Sequence, residues 1–497
     1  MKNNMNKQIN KNIYNFLIIF IIIIFIYIIY NFYNKKTYYS EIMCIGSGVS
    51  SAYACYQIKK HNINNNKIIV LEKDNNYGGR IKSVFSNINK QNHLEVAYAE
   101  LGAMRLFDIK PMKKIFDLLK VFGLKTIKVS LEDNDNIFYY NGTKYAKSEA
   151  RLSNGIKVSE FEEYTINNLK NKYPDINFEE IFDYEELRNL SIKEFFEKYG
   201  NANNDDINMW IAYSGYNLYD YVDNIQVTRH LYAKNFFNTK DKDKQYYILD
   251  GMIALVKKLF ENSNAEIIYN TKAISIQKDS QGYNIINTIN SNNVYEQYKC
   301  KYLFIGLTLK QIKELNTYQQ IPISPLRLQM INEVISIPLF KVFLKWDKKN
   351  IWWGEGKKYR IGKSTTNLPI RQIHYYDDED ILIYNSGRYA TELNKKFEEN
   401  PAKAAIEVYE QIKIMHKMDI PPPNYIYTIY KYWPDGSHVW LKGADVNKNV
   451  EIIPNGSIDK SNIFIIGDSF SKYQGWVIGA LNSVDVALKS FPNYNYK

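Results

Sequence analysis

Gly46, Gly48 and Glu72 have the residue types and spacing of a dinucleotide site. The apolar run I-M-C-I ends in Gly46-Ser47-Gly48, and a second apolar run, I-I-V-L, ends in Glu72. Gly46 permits a tight turn, Gly48 lets the backbone approach a pyrophosphate, and the helix that follows offers free N–H groups to phosphates. The Glu72 carboxylate is suited to accept hydrogen bonds from ribose hydroxyls. The pattern predicts a Rossmann-like strand–helix–strand unit.

Two further features bear on this site. Lys73 follows the acid, and Gly79 and Arg80 belong to a G-G-R block directly downstream. Ser51 stands at the third glycine position, where a small residue brings helix and strand close together. An ordinary strand–turn–helix connection is the alternative interpretation. The glycine turn alone does not distinguish NAD from FAD.

Length and charge limit the function classes. The 497 residues suffice for two or three packed units, and the net charge of +11 comes from 64 basic and 53 acidic residues that are scattered along the chain. This balance indicates solubility or weak attraction to an anionic membrane, and no nucleic-acid partner is expected. The three cysteines have neither metal-ligand nor disulfide spacing, so we predict no metal site.

An apolar segment lies near the N-terminus. Residues 13–33 are long enough for a membrane-spanning helix, which needs about 20 residues. A cleaved signal peptide is the rival interpretation, but residues 31–40 contain no small-x-small cleavage site. We therefore expect a single-pass membrane protein with a retained N-terminal anchor, its side of the membrane left open.

The pattern of apolar residues predicts an α/β fold, α+β overall. Residues 1–37 form the tail and anchor. Residues 38–108, 241–320 and 455–490 carry strand-like runs, with a last helix from about Gln474. Residues 109–240 read as a helical insertion, and residues 321–454 as a region with a mixed sheet. The Asn-rich stretch 284–295 is interpreted as a loop.

Five blocks, in order along the chain, resemble those of the flavin-containing amine oxidase family and most closely its L-amino-acid oxidases. They are E-L-G-A-M-R at 100–105, Y-I-L-D-G-M at 247–252, N-T-K-A-I-S-I at 270–276, G-K-S-T-T-N-L-P at 362–369 and I-F-I-I-G-D-S-F-S-K-Y-Q-G-W at 463–476. The resemblance implies an FAD cofactor, a discontinuous Rossmann-like FAD-binding domain made of residues 38–108, 241–320 and 455–490, and a substrate-binding domain at 321–454. No cysteine lies beyond Cys300, so the flavin is expected to be non-covalent.

The resemblance also assigns cofactor contacts. It places 102–105 over the flavin and substrate, Ala273 at the adenine, Asp468 at the ribityl chain, and the start of the last helix at the pyrimidine side of the ring. The predicted cofactor residues are Gly46, Gly48, Ser51, Glu72, Lys73, Gly79, Arg80, Gly102, Ala103, Met104, Arg105, Ala273, Gly467, Asp468, Gly475 and Trp476.

Lys341 is the predicted catalytic residue. It resembles the family lysine that binds a water beside flavin N5, and desolvation between Phe340 and Val342 would lower its pKa. A surface lysine on an alternating strand is the alternative interpretation.

The substrate contacts are predicted around Arg105. Its planar fork suits a carboxylate, and Tyr384 resembles the family tyrosine that shares this group. A salt bridge from Arg105 to Asp108 or Glu100 is the alternative. Trp476 and Trp433 are candidate aromatic walls for an amine, although a core or turn role suits Trp433 equally, and the Gly475 carbonyl is a candidate amine acceptor. His230 lies in the region of a helical-domain histidine proposed as a base in some L-amino-acid oxidases, but it is interpreted as a surface or core histidine with its hydrogen bonds satisfied.

These assignments predict an FAD-dependent oxidase of an amine, most closely an L-amino acid, that uses O₂ and releases H₂O₂. A mono- or polyamine oxidase of the same fold and a catalytically silent flavoprotein remain alternatives. The oligomeric state is not predicted.

Overall fold

The structure is a computed structural model that describes Ile19 and residues 36–61, 67–85, 97–129, 136–217, 220–236, 245–318, 320–354, 357, 362–376, 379–492 and 494. Within these ranges no helix has both the length and the apolar character needed to cross a membrane. Apart from Ile19, the predicted anchor at about 13–33 lies outside the described residues, so it stays a prediction.

The described part of the chain contains these strands, in order: β1 (Thr37–Tyr39), β2 (Ile42–Ile45), β3 (Ile68–Leu71), β4 (Ser83–Phe85), β5 (Ala97–Glu100), β6 (Leu106–Phe107), β7 (Thr126–Val129), β8 (Ile137–Tyr140), β9 (Thr143–Ala146), β10 (Gln245–Ile248), β11 (Ala265–Ile268), β12 (Thr271–Lys278), β13 (Asn284–Asn290), β14 (Tyr295–Cys300), β15 (Tyr302–Ile305), β16 (Val334–Lys345), β17 (Gly362–Thr366), β18 (Gln372–Tyr375), β19 (Asp380–Ser386), β20 (Ile429–Trp440) and β21 (Ile463–Ile465).

The α-helices are α1 (Val49–Lys60), α2 (Lys113–Val121), α3 (Val158–Lys172), α4 (Glu185–Arg188), α5 (Ile192–Gly200), α6 (Asn204–Ser214), α7 (Val227–Phe236), α8 (Ile253–Glu261), α9 (Leu309–Tyr318), α10 (Pro325–Ile331), α11 (Arg388–Glu399), α12 (Pro401–His416), α13 (Val446–Ile452) and α14 (Val477–Lys489). Short 3₁₀ turns connect several of them.

A parallel sheet carries the glycine turn. Its order is β11-β3-β2-β15-β21, and all its neighbours run parallel. Every residue of β2 and β15 is buried because both faces are covered. Ile42 and Cys44 pack on the side of α1, α8 and α14, whereas Met43 and Ile45 face the core that includes the four-stranded sheet β1-β14-β13-β12. The apolar run I-M-C-I is thus a fully buried strand, and in I-I-V-L every residue except Ile69 is buried.

Ser51 is accommodated by a glycine on the neighbouring strand end. Ser51 is fully buried in α1, and a Cβ built on Gly306 would lie 2.3 Å from its Oγ. In the dinucleotide motif a third glycine on the helix lets helix and strand pack closely. Here Gly306, which follows β15, leaves the room that Ser51 needs for the same close packing.

A seven-stranded mixed sheet, ordered β20-β16-β19-β18-β17-β8-β9, forms the second layer of the site. It is antiparallel except where β17 and β8 run parallel. Strand alternation sends Phe340 and Val342 into a core with α11 and α12. On the opposite face Lys341 lies directly across from Tyr384. This face looks toward the carboxyl ends of the parallel strands, and both line one cavity.

Three expectations about elements are wrong. Residues 284–290 form β13 and not a loop, because they pair with β12 and β14 and Ile286 packs in the core. Residues 109–240 are not uniformly helical, since β7, β8 and β9 lie there and the last two join the seven-stranded sheet. The last helix begins at Val477 and not at about Gln474, because residues 474–476 form a turn in which the Trp476 N–H donates to the Tyr473 carbonyl.

Candidate active site

One elongated cavity of about 520 Å³ joins the glycine turn to the face that carries Lys341. Most of the predicted site residues line it: Gly46, Gly48, Glu72, Lys73, Gly79, Arg80, Gly102, Ala103, Ala273, Lys341, Tyr384, Trp433, Gly467, Asp468, Gly475 and Trp476. Ser51, Met104 and Arg105 are not among its lining residues. Ser51 lies beneath the turn, whereas Met104 and Arg105 lie beside Lys341 and Tyr384.

The glycine turn leaves room for a ligand at the N-terminus of α1. Gly46 has φ +86°, and a Cβ on it would lie 2.7 Å from the Gly306 carbonyl oxygen. A Cβ on Gly48 would meet nothing within 4 Å, because Gly48 faces the open cavity. The first N–H groups of α1 therefore face space that phosphates can occupy.

Glu72 is held rigidly at the end of β3. Its Oε2 accepts hydrogen bonds from the Ser47 N–H at 2.9 Å and the Ser47 hydroxyl at 2.5 Å, and its Oε1 accepts from the Asp74 N–H at 2.9 Å. Its side chain is 7% exposed and borders the cavity. The remaining lone pairs of the two oxygens suit hydroxyl donors such as those of a ribose.

The residues present therefore fit an FAD molecule. The N-termini of α1 and α14 both open onto this cavity, α1 next to the glycine turn and α14 next to Trp476. Anionic phosphates suit the first terminus, and negative charge on a reduced flavin suits the second.

Asp468 is an ion-pair partner of Arg80. The Arg80 guanidinium contacts both carboxylate oxygens, and the Gly475 N–H donates to Asp468 Oδ2 at 2.9 Å. Although burial alone would raise it, the Arg80 charge together with nearby His438 holds the pKa of the Asp468 carboxyl well below its usual range. The carboxylate that was predicted to hold a ribityl chain is thus fixed by the protein on one side and borders the cavity on the other.

His438 and Asp435 extend this network, and the sequence did not reveal them. Buried His438 places Nε2 3.2 Å from Asp435 Oδ1 and Nδ1 3.9 Å from Asp468 Oδ2. The Lys310 N–H donates to the other Asp435 oxygen at 2.9 Å. Asp435 lies in Y-W-P-D-G-S, which looks like a turn in sequence but is part of β20. That Asp435 lies in a strand follows from the pairing of β20 with β16, which the local sequence does not show.

Lys341 is buried, so it is not a surface lysine. Its side chain is 3% exposed, and Nζ donates to the carbonyl oxygens of Glu100 at 2.9 Å and Gly102 at 2.6 Å. Nζ also lies 3.2 Å from Met104 Sδ and 5.3 Å from the centre of the Tyr384 ring. Burial lowers the pKa of Lys341 to about 7, and the Arg105 charge adds to this while the Glu100 carboxylate opposes it. The amine is therefore suited to exchange a proton near neutral pH.

Glu100 is the buried acid beside this lysine. Its Oε1 accepts from the Met252 N–H at 2.7 Å and from the Ser83 hydroxyl at 2.9 Å. Burial raises the pKa of Glu100 to about 7, although these hydrogen bonds and the Lys341 charge lower it in part. Glu100 lies in the block E-L-G-A-M-R that resembles the family, but no local pattern indicates its interaction with Lys341.

Arg105 lies among tyrosines and does not form the alternative salt bridges. In the described part of the chain it has no ion pair with Asp108, Glu100 or any other carboxylate. Burial lowers the pKa of Arg105, but hydroxyls of nearby tyrosines outweigh this and raise it overall. The tyrosines are Tyr216, Tyr247, Tyr384 and Tyr376. Among the described residues, Arg105 is therefore a cation without a carboxylate counter-ion.

The two tryptophans border the cavity in different ways. The Trp433 indole N–H donates to the Leu101 carbonyl oxygen at 2.7 Å, which fixes its ring, and Trp433 lies in β20 and not in a turn. Trp476 packs edge-on against Phe107, with ring centres 5.5 Å apart. Gly475 has φ +82° and lies between Asp468 and the start of α14.

His230 is a satisfied histidine, as interpreted from the sequence. Its Nε2 lies 2.6 Å from Glu162 Oε1, and Lys234 Nζ lies 2.6 Å from Glu162 Oε2. Burial alone would raise the pKa of Glu162, but these two partners hold it at about 2. His230 is not among the residues that line the cavity.

Comparisons with known proteins agree with this geometry. The family model of the flavin containing amine oxidoreductases matches residues 52–483. An uncharacterized protein of Acanthamoeba polyphaga mimivirus is 24% identical over 91% of this chain and 93% of its own length. The L-amino acid oxidase Bs29 of Bothriechis schlegelii is 24% identical over 67% of this chain, and the matched part spans 65% of that protein.

A solved structure shares the fold. A putrescine oxidase variant redesigned in its cofactor binding superimposes with a TM-score of 0.63 at 13% identity, over 91% of this chain and 99% of the other. This match confirms the mixed α/β fold predicted from the sequence. The family match, which covers most of the chain, extends this agreement from fold to family: the chain belongs to the flavin-containing amine oxidoreductases.

Proposed function

We propose that the protein is an FAD-dependent oxidase of L-amino acids, with non-covalently bound FAD. The observation that carries the proposal is the single cavity that joins a dinucleotide turn at one end to Lys341 and Tyr384, with Arg105 beside them, at the other. Glu72, Ala273, Arg80 and Asp468 would hold the cofactor along this cavity.

Bound FAD would supply the acceptor for a hydride from the carbon that carries the amine, and the two electrons would pass with two protons to O₂ to give H₂O₂. The oxidised amine leaves as an imine, which water hydrolyses to an oxo acid and ammonia. Hydride transfer requires a neutral amine held close to the ring in a dry site. The protein residues therefore bind, orient and desolvate the substrate.

Arg105 and Tyr384 would hold the carboxylate of the substrate. A guanidinium presents two parallel N–H donors to a carboxylate, and the absence of an ion pair with any described acid leaves these donors available. Lys341 would hold a water or accept a proton beside the reacting carbon, because its amine is close to half-protonated at neutral pH. Trp433 and Trp476 would exclude water, and the Gly475 carbonyl would accept a hydrogen bond from the amine.

The test compares each L-amino acid with the amine that lacks its carboxylate. Full-length protein loaded with FAD is assayed for H₂O₂ release with L-phenylalanine against phenethylamine, and L-leucine against isopentylamine, after a screen of all L-amino acids. The wild type should prefer the amino acids. Arg105→Ala should lower kcat/KM for amino acids about 10- to 100-fold and change that for amines little, because one charged hydrogen-bond partner is lost.

Arg388→Ala is a matched control, because Arg388 is 54% exposed and interacts with Asp220 away from the cavity. Equal or faster oxidation of the amines by the wild type would instead make the protein a mono- or polyamine oxidase. Flavin that stays oxidised under anaerobic conditions with every amine and amino acid would make it a catalytically silent flavoprotein.

A further inference from the structure

A second arginine, Arg229, lies beside the substrate end of the cavity. It belongs to α7, and its Nη2 donates to the Gln474 carbonyl oxygen at 3.2 Å. Gln474 is itself fixed, since its side chain donates to the Ser469 carbonyl oxygen and accepts from the Trp440 N–H. The next two residues of the chain, Gly475 and Trp476, line the cavity.

Arg229 has no carboxylate partner within the residues that the structure describes. The charge of Asp468 acts on Arg229, but Asp468 is already paired with Arg80 and accepts a hydrogen bond from the Gly475 N–H. Burial lowers the pKa of Arg229 to about 10, and Tyr216 and Asp468 only partly oppose this. A desolvated guanidinium without a counter-ion is unfavourable unless a ligand supplies the negative charge.

Tyr216 lies within electrostatic range of both Arg229 and Arg105. The Tyr216 hydroxyl acts electrostatically on both guanidiniums, and its ring packs edge-on against Tyr384, with centres 6.0 Å apart. Tyr384 lines the cavity beside Lys341, its cross-strand neighbour. Two guanidiniums without a described carboxylate partner therefore lie behind the lining residues of the substrate end, and a monocarboxylate would neutralise only one of them.

We propose that the substrate is an L-amino acid whose side chain ends in a second carboxylate, with Arg105 binding the α-carboxylate and Arg229 binding the side-chain carboxylate. This assignment rests on the proposed function, since it names the class of amino acid that the same site oxidises. It makes Arg229 a residue that determines specificity. A purely structural role, in which Arg229 only fixes the Gln474 carbonyl, is the competing explanation.

Two measurements on FAD-loaded, full-length protein test this assignment. The first is kcat/KM for L-glutamate and L-aspartate against L-leucine. The second is the binding of glutarate and succinate against butyrate, followed by the change in flavin absorbance, which requires no turnover. The variants are Arg229→Gln and Arg229→Lys, with exposed Arg388→Gln as the control.

The wild type should prefer an acidic amino acid and bind a dicarboxylate more tightly than butyrate. Arg229→Gln should weaken both preferences about 10- to 100-fold and leave L-leucine and butyrate nearly unchanged, since one charged hydrogen-bond partner is removed. Arg229→Lys should retain part of the preference, because the positive charge remains. If Arg229 had only a structural role, the variants would lower kcat/KM for all substrates together and reduce the melting temperature of the protein.

The outcomes that overturn the inference differ from those that overturn the oxidase function. A wild type that oxidises L-leucine faster than both acidic amino acids, with no tighter binding of dicarboxylates, refutes the role of Arg229 while the oxidase stands. Dicarboxylate binding that depends on Arg229, without oxidation of any amino acid, supports the two-carboxylate site and refutes the oxidase.

Discussion

The proton on Lys341 gives the sharpest prediction from this site. Nζ donates to two backbone carbonyl oxygens, those of Glu100 and Gly102. A neutral amine still has two N–H donors, so both bonds survive deprotonation. Burial lowers the pKa of Lys341 to about 7. We therefore expect kcat/KM to require the neutral amine and to rise as the pH rises through about 7.

The size of the effect follows from this pKa. At about one pH unit below it roughly a tenth of the lysine is neutral, and at about one unit above it roughly nine tenths are, so kcat/KM should increase about tenfold between them. Lys341→Met should remove this rise and lower the rate about 100-fold or more, in the range expected for loss of a group that handles a proton. Any inflection from the substrate amine should remain in the variant and serves as an internal reference.

Glu100→Gln separates the two members of the buried pair. The glutamine keeps a carbonyl oxygen for the Met252 N–H and the Ser83 hydroxyl, so the local structure should persist. Because the Glu100 carboxylate raises the pKa of Lys341, its removal should move the inflection to lower pH. The assay is the pH dependence of anaerobic flavin bleaching in stopped flow. An unchanged inflection in Lys341→Met refutes the assignment to lysine, and loss of the inflection in Glu100→Gln would assign it to the acid.

Three further predictions concern the cofactor. Gly306→Ala should destabilise the FAD domain by about 1–3 kcal/mol because its Cβ meets the Ser51 side chain, and Ser51→Gly in the same chain should restore the melting temperature. Asp468→Asn should weaken FAD binding about 10-fold or more, measured by flavin fluorescence, because Arg80 loses its counter-ion. Acid precipitation should leave all flavin in the supernatant, since no cysteine lies beyond Cys300; yellow precipitate would contradict a non-covalent cofactor.

The nucleotide half of the site was predictable because it is local in sequence. The turn at Gly46 and Gly48, the helix α1 and the acid Glu72 lie within one strand–helix–strand unit, so the spacing of residues fixes their geometry. The Ser47 N–H and hydroxyl that hold Glu72 come from that same unit. By contrast, the room for the Ser51 side chain comes from Gly306, which follows a strand far along the chain. No local sequence pattern shows this contact.

The substrate half was less predictable because its contacts join distant segments. Lys341 was identified by resemblance, but its two carbonyl partners lie in 100–102 and depend on how the seven-stranded sheet meets the parallel one. Arg229 was missed although its neighbour His230 was considered. The burial of Arg229 and its lack of a described carboxylate partner are properties of the packed chain and not of the sequence.

The distribution of charge along the cavity explains why the substrate end is the part that calls for an anion. Along the cofactor part of the cavity the two predicted cofactor carboxylates have protein donors: Glu72 accepts from Ser47 and Asp74, and Asp468 is paired with Arg80. FAD can therefore bind there mainly through helix N-termini, hydroxyl contacts and apolar surface. At the other end Arg105 and Arg229 have no ion pair with a described acid. Because desolvated charges are unfavourable without a partner, a ligand with negative charge gains most at this end, which favours a carboxylate substrate over a plain amine.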